Sequence, residues 1–158
     1  MNSILANRLV STLRDKKMHI AHAESCTGGL LSKYITDQPG ASDVFECGIV
    51  SYSGRIKHNL LGVSCKTIEL YGEVSEETAR EMALGIKDLS EADIGIGITG
   101  IAGPGGGTPT KPVGLVYFAV SYADKCDCVR LELFDIGDRQ AVREETVRRV
   151  LEHLLRII

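Results

Sequence analysis

The stretch Met18–Gly29, MHIAHAESCTGG, decides the fold that we expect for this chain of 158 residues. Residues 18–23 are typical of a short buried strand, and Leu30–Thr36 of the helix that follows. Ser25 and Cys26 therefore stand side by side at a strand-to-helix corner. Such a corner suits nucleophilic chemistry, because the first turn of a helix offers N–H groups to a developing oxyanion. The simpler interpretation is an ordinary helix start, since Ser and Thr are favoured N-caps.

Outward from this corner, helical and extended segments alternate along the chain. The predicted helices cover residues 2–17, 28–37, 54–61, 65–71 and 76–89, and a last one starts at Gly137-Asp138. The predicted strands cover residues 18–23, 45–52, 94–98, 113–122 and 128–134, with a glycine- and proline-rich loop at 100–112. Helices and strands alternate in the first part of the chain, and a hairpin-like pair of strands follows near its end. This order predicts a three-layer α/β/α sandwich, with a mostly parallel sheet and an antiparallel edge.

Length and composition predict one domain, residues 1–158, of an ordinary cytoplasmic protein. The net charge of −3 gives no electrostatic reason to expect nucleic acid or a membrane as a partner. Five cysteines, an odd number, indicate a reduced compartment, and no cluster has metal-ligand spacing, so we expect neither a metal nor a cofactor. The apolar run Leu154–Ile158 is a candidate contact between copies in a homo-oligomer.

A second corner, Ser51-Tyr52-Ser53-Gly54-Arg55-Ile56-Lys57, offers a base for Ser25. Both corners follow the carboxyl ends of predicted strands, the edge where open α/β sheets bind ligands. Lys57 falls one turn into a helix, so its amine reaches back over the corner. A lysine base must be neutral, and we expect burial, the helix N-terminus and Arg55 to lower its pKa. The alternative is a solvated surface lysine.

Two further segments are candidate anion sites. The turn Thr99–Gly107, TGIAGPGGG, either brings backbone N–H groups close to a phosphate or carboxylate, or is a flexible surface loop. It does not fit a dinucleotide-binding turn, because the first glycines of that pattern lie inside a strand. Arg139 and Arg143 share a helix face, so they either hold an anion together or pair with Glu144 or Glu145 of the same helix.

Together these segments resemble the CinA C-terminal domain family, the nicotinamide-nucleotide amidohydrolases. The resemblance rests on AESCTGG, YSGRIK, GITGIAGPGGGTPTKPVG and GDRQAVR, which occur in the family's order along nearly the whole chain. It implies hydrolysis of the carboxamide of nicotinamide mononucleotide (NMN) to nicotinate mononucleotide and ammonia. Many members carry this domain behind a larger one, similar to molybdopterin-binding proteins, which the sequence does not contain. We therefore do not expect the pyrophosphatase activity associated with that domain.

The resemblance also implies residue roles: Ser25 as nucleophile and Lys57 as general base, with Tyr52 at the same site. The candidate contacts to this small nucleotide substrate are Thr27, Gly28, Thr99, Gly100, Gly103, Arg139 and Arg143. Gly105 departs from the family pattern, in which an acidic residue is common. Cys26 is the alternative nucleophile, because thiols are intrinsically more nucleophilic. The alternative to an enzyme is a nucleotide-binding accessory protein that uses the same pockets without turnover.

Overall fold

The computed structural model describes every residue, Met1–Ile158. The helices are α1 (Asn2–Lys16), α2 (Leu30–Thr36), α3 (Gly54–Leu61), α4 (Cys65–Tyr71), α5 (Glu76–Ser90) and α6 (Arg139–Ile157). The strands are β1 (Ile20–Glu24), β2 (Phe45–Val50), β3 (Ile94–Gly100), β4 (Leu115–Tyr122) and β5 (Lys125–Glu132). A short 3₁₀ turn, Ala41–Asp43, precedes β2.

The five strands form one sheet in the order β2-β1-β3-β4-β5. β1 pairs in parallel with β2 and β3, whereas the β3–β4 and β4–β5 pairs are antiparallel, so β4 alone runs against the other four strands. Helices α1, α2 and α6 cover the larger core on one face, and α3, α4 and α5 pack against the opposite face. The predicted three-layer α/β/α sandwich with an antiparallel edge is confirmed.

Strand β3 shows how the alternation of side chains builds both outer layers. Its isoleucines are fully buried in the larger core, which lies under α1, α2 and α6: Ile94, Ile96 and Ile98. Gly95 and Gly97 face α5, and a Cβ added at Gly97 would lie only 2.3 Å from the carbonyl oxygen of Ala79. Glycine at this register therefore lets α5 approach the sheet. These glycines serve packing, in agreement with the exclusion of a dinucleotide-binding turn.

Several strand boundaries differ from the prediction. β1 ends at Glu24 rather than at the preceding alanine, because Glu24 still pairs with both neighbouring strands. β3 continues to Gly100, since its last residues pair with the start of β4. β5 begins at Lys125 rather than at residue 128, because a tight turn with Ala123 at a φ of 51° already reverses the chain. Pairing across the sheet thus decides where each strand stops.

None of the helices combines the length and the apolar character needed to cross a membrane. The C-terminal apolar run packs largely within the chain itself. Leu154 is fully buried, and Leu155, Ile157 and Ile158 pack against the same core. The run therefore contributes to the hydrophobic core, and a contact between copies through its partly exposed residues stays a prediction.

Candidate active site

The two predicted corners meet where β1, β2 and β3 end. The N–H of Ser25 donates to the carbonyl of Ile98 (3.0 Å), and the N–H of Ser51 donates to the carbonyl of Glu24 (2.9 Å). A cleft of about 220 Å³ opens at this end of the sheet. Seven of the candidate residues line it: Ser25, Tyr52, Lys57, Thr99, Gly100, Gly103 and Arg139.

Lys57 lies at the base of this cleft with a fully buried side chain. Ser53 caps α3 by accepting the N–H of Ile56 (3.3 Å), which places Lys57 one turn into the helix. Its Nζ lies 3.2 Å from Ser25 Oγ and 2.9 Å from the carbonyl oxygen of Ser51. The interpretation as a solvated surface lysine is therefore wrong, and a primary amine stands within proton-transfer distance of a serine hydroxyl.

Burial is the main cause that lowers the pKa of Lys57, and the carboxylate of Glu73, 3.4 Å away, opposes it. Arg55 does not contribute as expected. It is exposed and lines a neighbouring cleft with His58, because the helix turns its side chain away from Lys57. Of the causes expected from the sequence, burial thus lowers the pKa of Lys57, and Arg55 does not contribute.

Glu24 corrects the expectation that the first turn of α2 holds an oxyanion. Its fully buried carboxylate accepts hydrogen bonds from the N–H groups of Gly29 (3.1 Å), Leu31 (3.2 Å) and Ser32 (2.9 Å). Burial raises the pKa of Glu24, but the imidazole of His22 and the bond from the Ser32 N–H outweigh burial and lower the pKa to about 2. The helix N-terminus is therefore already occupied by an anion from within the chain.

The backbone N–H groups that remain free at the corner belong to Cys26 and Thr27, neither of which has a hydrogen-bond acceptor. They directly follow Ser25 in the turn between β1 and α2. Backbone donors next to a nucleophile are the usual components of an oxyanion hole. The corner thus offers donors beside the serine rather than in the helix.

Cys26 has an environment that suits a buried thiol rather than a nucleophile. Its side chain is only 5% exposed and belongs to the larger hydrophobic core. Burial raises the pKa of the thiol to about 12. Because the thiolate is the reactive form, this environment disfavours Cys26 as the nucleophile.

Arg139 connects the second corner with the glycine-rich turn across the rim of the cleft. Its guanidinium donates to the hydroxyl oxygen of Tyr52 (2.7 Å) and to the carbonyl oxygen of Gly103 (2.7 Å). Both Tyr52 and Arg139 are exposed, so the remaining donors of the guanidinium face the opening. A cation and the glycine-rich turn therefore meet at the mouth of the cleft.

Three candidate residues, Thr27, Gly28 and Arg143, lie outside the cleft and contact one another instead. Arg143 donates to the carbonyl oxygen of Thr27 at 2.7 and 3.2 Å, and Thr27 itself is fully buried. A Cβ added at Gly28 would lie 3.5 Å from the same guanidinium. Arg143 thus ties α6 to the corner, instead of pairing with Glu144 or Glu145 or reaching the cleft with Arg139.

Glu73 is the residue at this site that sequence reasoning missed. It lies in the linker between α4 and α5, lines the cleft, and has one carboxylate oxygen 3.4 Å from Lys57 Nζ. The sequence signal was weak: a carboxylate directly after Gly72, which stops α4 with a φ of 80°. Nothing in the spacing along the chain connects such a linker with Lys57.

No group of three or more His, Cys, Asp or Glu side chains is placed to hold a metal ion. All five cysteines are free thiols. The polar groups that line the cleft are a hydroxyl, an amine, a carboxylate, a guanidinium and backbone groups, which are types of group that can transfer protons or bind anions.

Known proteins resemble this chain along almost its whole length. A CinA-like protein of Desulfovibrio desulfuricans is 49% identical over 147 residues, which cover 93% of this chain and 34% of that protein. A CinA-like protein of Thermotoga neapolitana is 47% identical over 146 residues, covering 92% of this chain and 35% of that protein. The chain therefore spans about a third of the length of these curated relatives.

Solved structures and a family profile point to the same family as these relatives. The competence/damage inducible protein CihA of Agrobacterium tumefaciens has a TM-score of 0.94 at 39% identity, covering 98% of this chain and 93% of that one. A competence-damaged protein (CinA) superfamily protein of Escherichia coli has a TM-score of 0.95 at 32% identity, with 100% and 91% covered. The profile described as CinA C-terminal domain matches residues 2–158. The chain therefore belongs to the CinA C-terminal domain family.

Proposed function

We propose that this chain is an amidohydrolase that converts NMN to nicotinate mononucleotide and ammonia, with Ser25 as nucleophile and Lys57 as general base. One observation carries the proposal. The amine of Lys57 is fully buried and lies 3.2 Å from Ser25 Oγ at the base of an open cleft. A serine hydroxyl is weakly nucleophilic on its own, and an adjacent base with a lowered pKa activates it.

In the first half of the reaction, Ser25 Oγ attacks the carboxamide carbon while its proton passes to the neutral amine of Lys57. The carbonyl oxygen becomes an oxyanion, and the free N–H group of Cys26, which lines the cleft directly after Ser25, is the donor available to it. Lys57 then returns the proton to the leaving nitrogen. Ammonia departs, and an ester between Ser25 and the nicotinoyl group remains.

In the second half, water attacks this ester and gives up a proton to Lys57. Collapse of the second tetrahedral intermediate breaks the bond to Ser25 Oγ, and the proton on Lys57 goes back to the serine oxygen. The product is the carboxylic acid, which ionises at neutral pH. One base therefore serves both half-reactions, and no metal or cofactor takes part.

The opening of the cleft suits the phosphate of a nucleotide. Arg139 and the glycine-rich turn line the same cleft as the Ser25–Lys57 pair, and Arg139 is exposed at its mouth. A guanidinium and backbone N–H groups are a common combination for binding a phosphate. A substrate with an amide at one end and a phosphate at the other would use both ends of this cleft.

The test is ammonia release from NMN by the purified protein. We expect Ser25→Ala to abolish release while the far-UV circular dichroism spectrum stays unchanged, and Cys26→Ala to retain most of the activity. Loss of activity in Cys26→Ala, with normal activity in Ser25→Ala, would reverse the assignment. NMN binding without any ammonia release would instead support a nucleotide-binding accessory protein.

A further inference from the structure

We propose that Glu73 is a positioning residue for Lys57: its carboxylate orients the buried amine toward Ser25 and sets the pH below which the serine loses its base. This inference deepens the proposed function and rests on it. No role for a carboxylate was expected at this site from the sequence. The proposal follows from two sets of contacts: that of the Glu73 carboxylate with Lys57, and those that hold Glu73 in place.

The amine of Lys57 lies between a hydroxyl and a carboxylate. Its Nζ is 3.2 Å from Ser25 Oγ and 3.4 Å from Glu73 Oε2. This order of groups, in which a third residue orients the base of a nucleophile, is the general arrangement of hydrolytic triads. Glu73 is 46% exposed at its side chain, so it faces both the buried lysine and the water of the cleft.

The backbone and the side chain of Glu73 are each held in this place by the fold. The hydroxyl of Thr99, at the end of β3, donates to the carbonyl oxygen of Glu73 (2.7 Å). On the other side, a Cβ added at Gly54 would lie 3.0 Å from Glu73 Oε1. Glycine at the start of α3 thus leaves room for the carboxylate, and Thr99 acts here through Glu73.

Glu73 is the only carboxylate within 4 Å of the amine of Lys57. The other ionisable groups that line the cleft are the Cys26 thiol, the Tyr52 phenol and the Arg139 guanidinium. Arg55 and His58 of α3 line the neighbouring cleft together with Glu69, and the Glu24 carboxylate is bound by the N–H groups at the start of α2. Changing Glu73 therefore removes the negative charge that favours the ammonium form.

The loss of this charge determines the direction in which the pKa of Lys57 changes in the variant. Without the carboxylate the ammonium form of Lys57 is less stable, so the neutral amine persists to lower pH. The acidic limb of the kcat/KM profile should then move to lower pH. If Glu73 were itself the proton acceptor, replacing it would instead remove activity at every pH.

The test compares Glu73→Gln with wild type, and uses Glu69→Gln as the matched control. Glu69 is exposed on α4 and lines the neighbouring cleft, so its change removes the same charge without touching Lys57. For each protein, kcat/KM for NMN is measured across the acidic limb. In parallel, the protein labelled at lysine Cε is titrated by NMR, and the Lys57 signal is assigned by its loss in Lys57→Met. This titration needs no turnover.

We expect Glu73→Gln to be roughly tenfold more active than wild type on the acidic limb, when each is scaled to its own plateau. The NMR titration of Lys57 should move in the same direction, and Glu69→Gln should change neither. A Lys57 titration that is unchanged in Glu73→Gln, or that moves to higher pH, overturns the proposal. If the Lys57 titration moves to lower pH in Glu73→Gln but the wild-type protein releases no ammonia, the role of Glu73 is supported and the proposed hydrolysis is refuted. Loss of activity at every pH with an unchanged titration assigns proton transfer to Glu73 and overturns the proposal as well.

Discussion

Replacement of Glu24 by Gln tests whether an ionised carboxylate holds the corner of the candidate nucleophile. The pKa of Glu24 falls from 4.5 to about 2 in the folded protein. Because the folded state has the lower pKa, ionisation stabilises the fold above the unfolded pKa, and this stability is lost as pH falls toward 2. At 1.36 kcal/mol per unit, the contribution at neutral pH is about 3 kcal/mol.

In Glu24→Gln this contribution is absent, and the amide NH₂ also faces the N–H donors of Gly29, Leu31 and Ser32. We therefore expect the variant to lose about 3 kcal/mol or more of the free energy of unfolding at pH 7. The difference from wild type should shrink as the pH is lowered toward 2. Urea unfolding followed by circular dichroism at several pH values measures both quantities.

The control for this prediction is Glu69→Gln, which changes an exposed carboxylate and should leave the free energy of unfolding nearly unchanged. A stability difference between Glu24→Gln and wild type that stays the same at neutral and acidic pH would refute the reasoning. In that case the ionisation of Glu24 would not be what stabilises the corner.

Three further predictions concern the reaction. Lys57→Arg should retain less than about a tenth of the wild-type kcat, a barrier increase above about 1.4 kcal/mol, because a guanidinium cannot give up its proton near neutral pH. A faster variant would exclude Lys57 as the base. Arg139→Ala should raise KM for NMN much more than KM for the riboside without phosphate, and equal effects on both substrates would mean that Arg139 does not bind the phosphate. Dialysis against EDTA should leave activity intact, whereas activity that returned only with a divalent ion would contradict metal-free chemistry.

The sequence by itself determined the order of the elements and the residue types at both corners. The predicted bounds of α3 and α4 agree with the structure at every residue, because glycine ends both helices and serine caps both of them. The meeting of Ser25 and Lys57, which are 32 residues apart, was also predictable. Parallel strands bring their carboxyl ends to one edge of a sheet, so residues that follow those ends come together.

Only the tertiary structure decided which partner each polar group has. It assigned the N–H groups of α2 to Glu24 and the carbonyl of Thr27 to Arg143, which is 116 residues away. It also brought Glu73 to Lys57 from a linker with no regular pattern. Periodicity and capping are local and can be read along the chain. A hydrogen-bond partner depends on how whole helices and strands pack, and no local pattern carries that information.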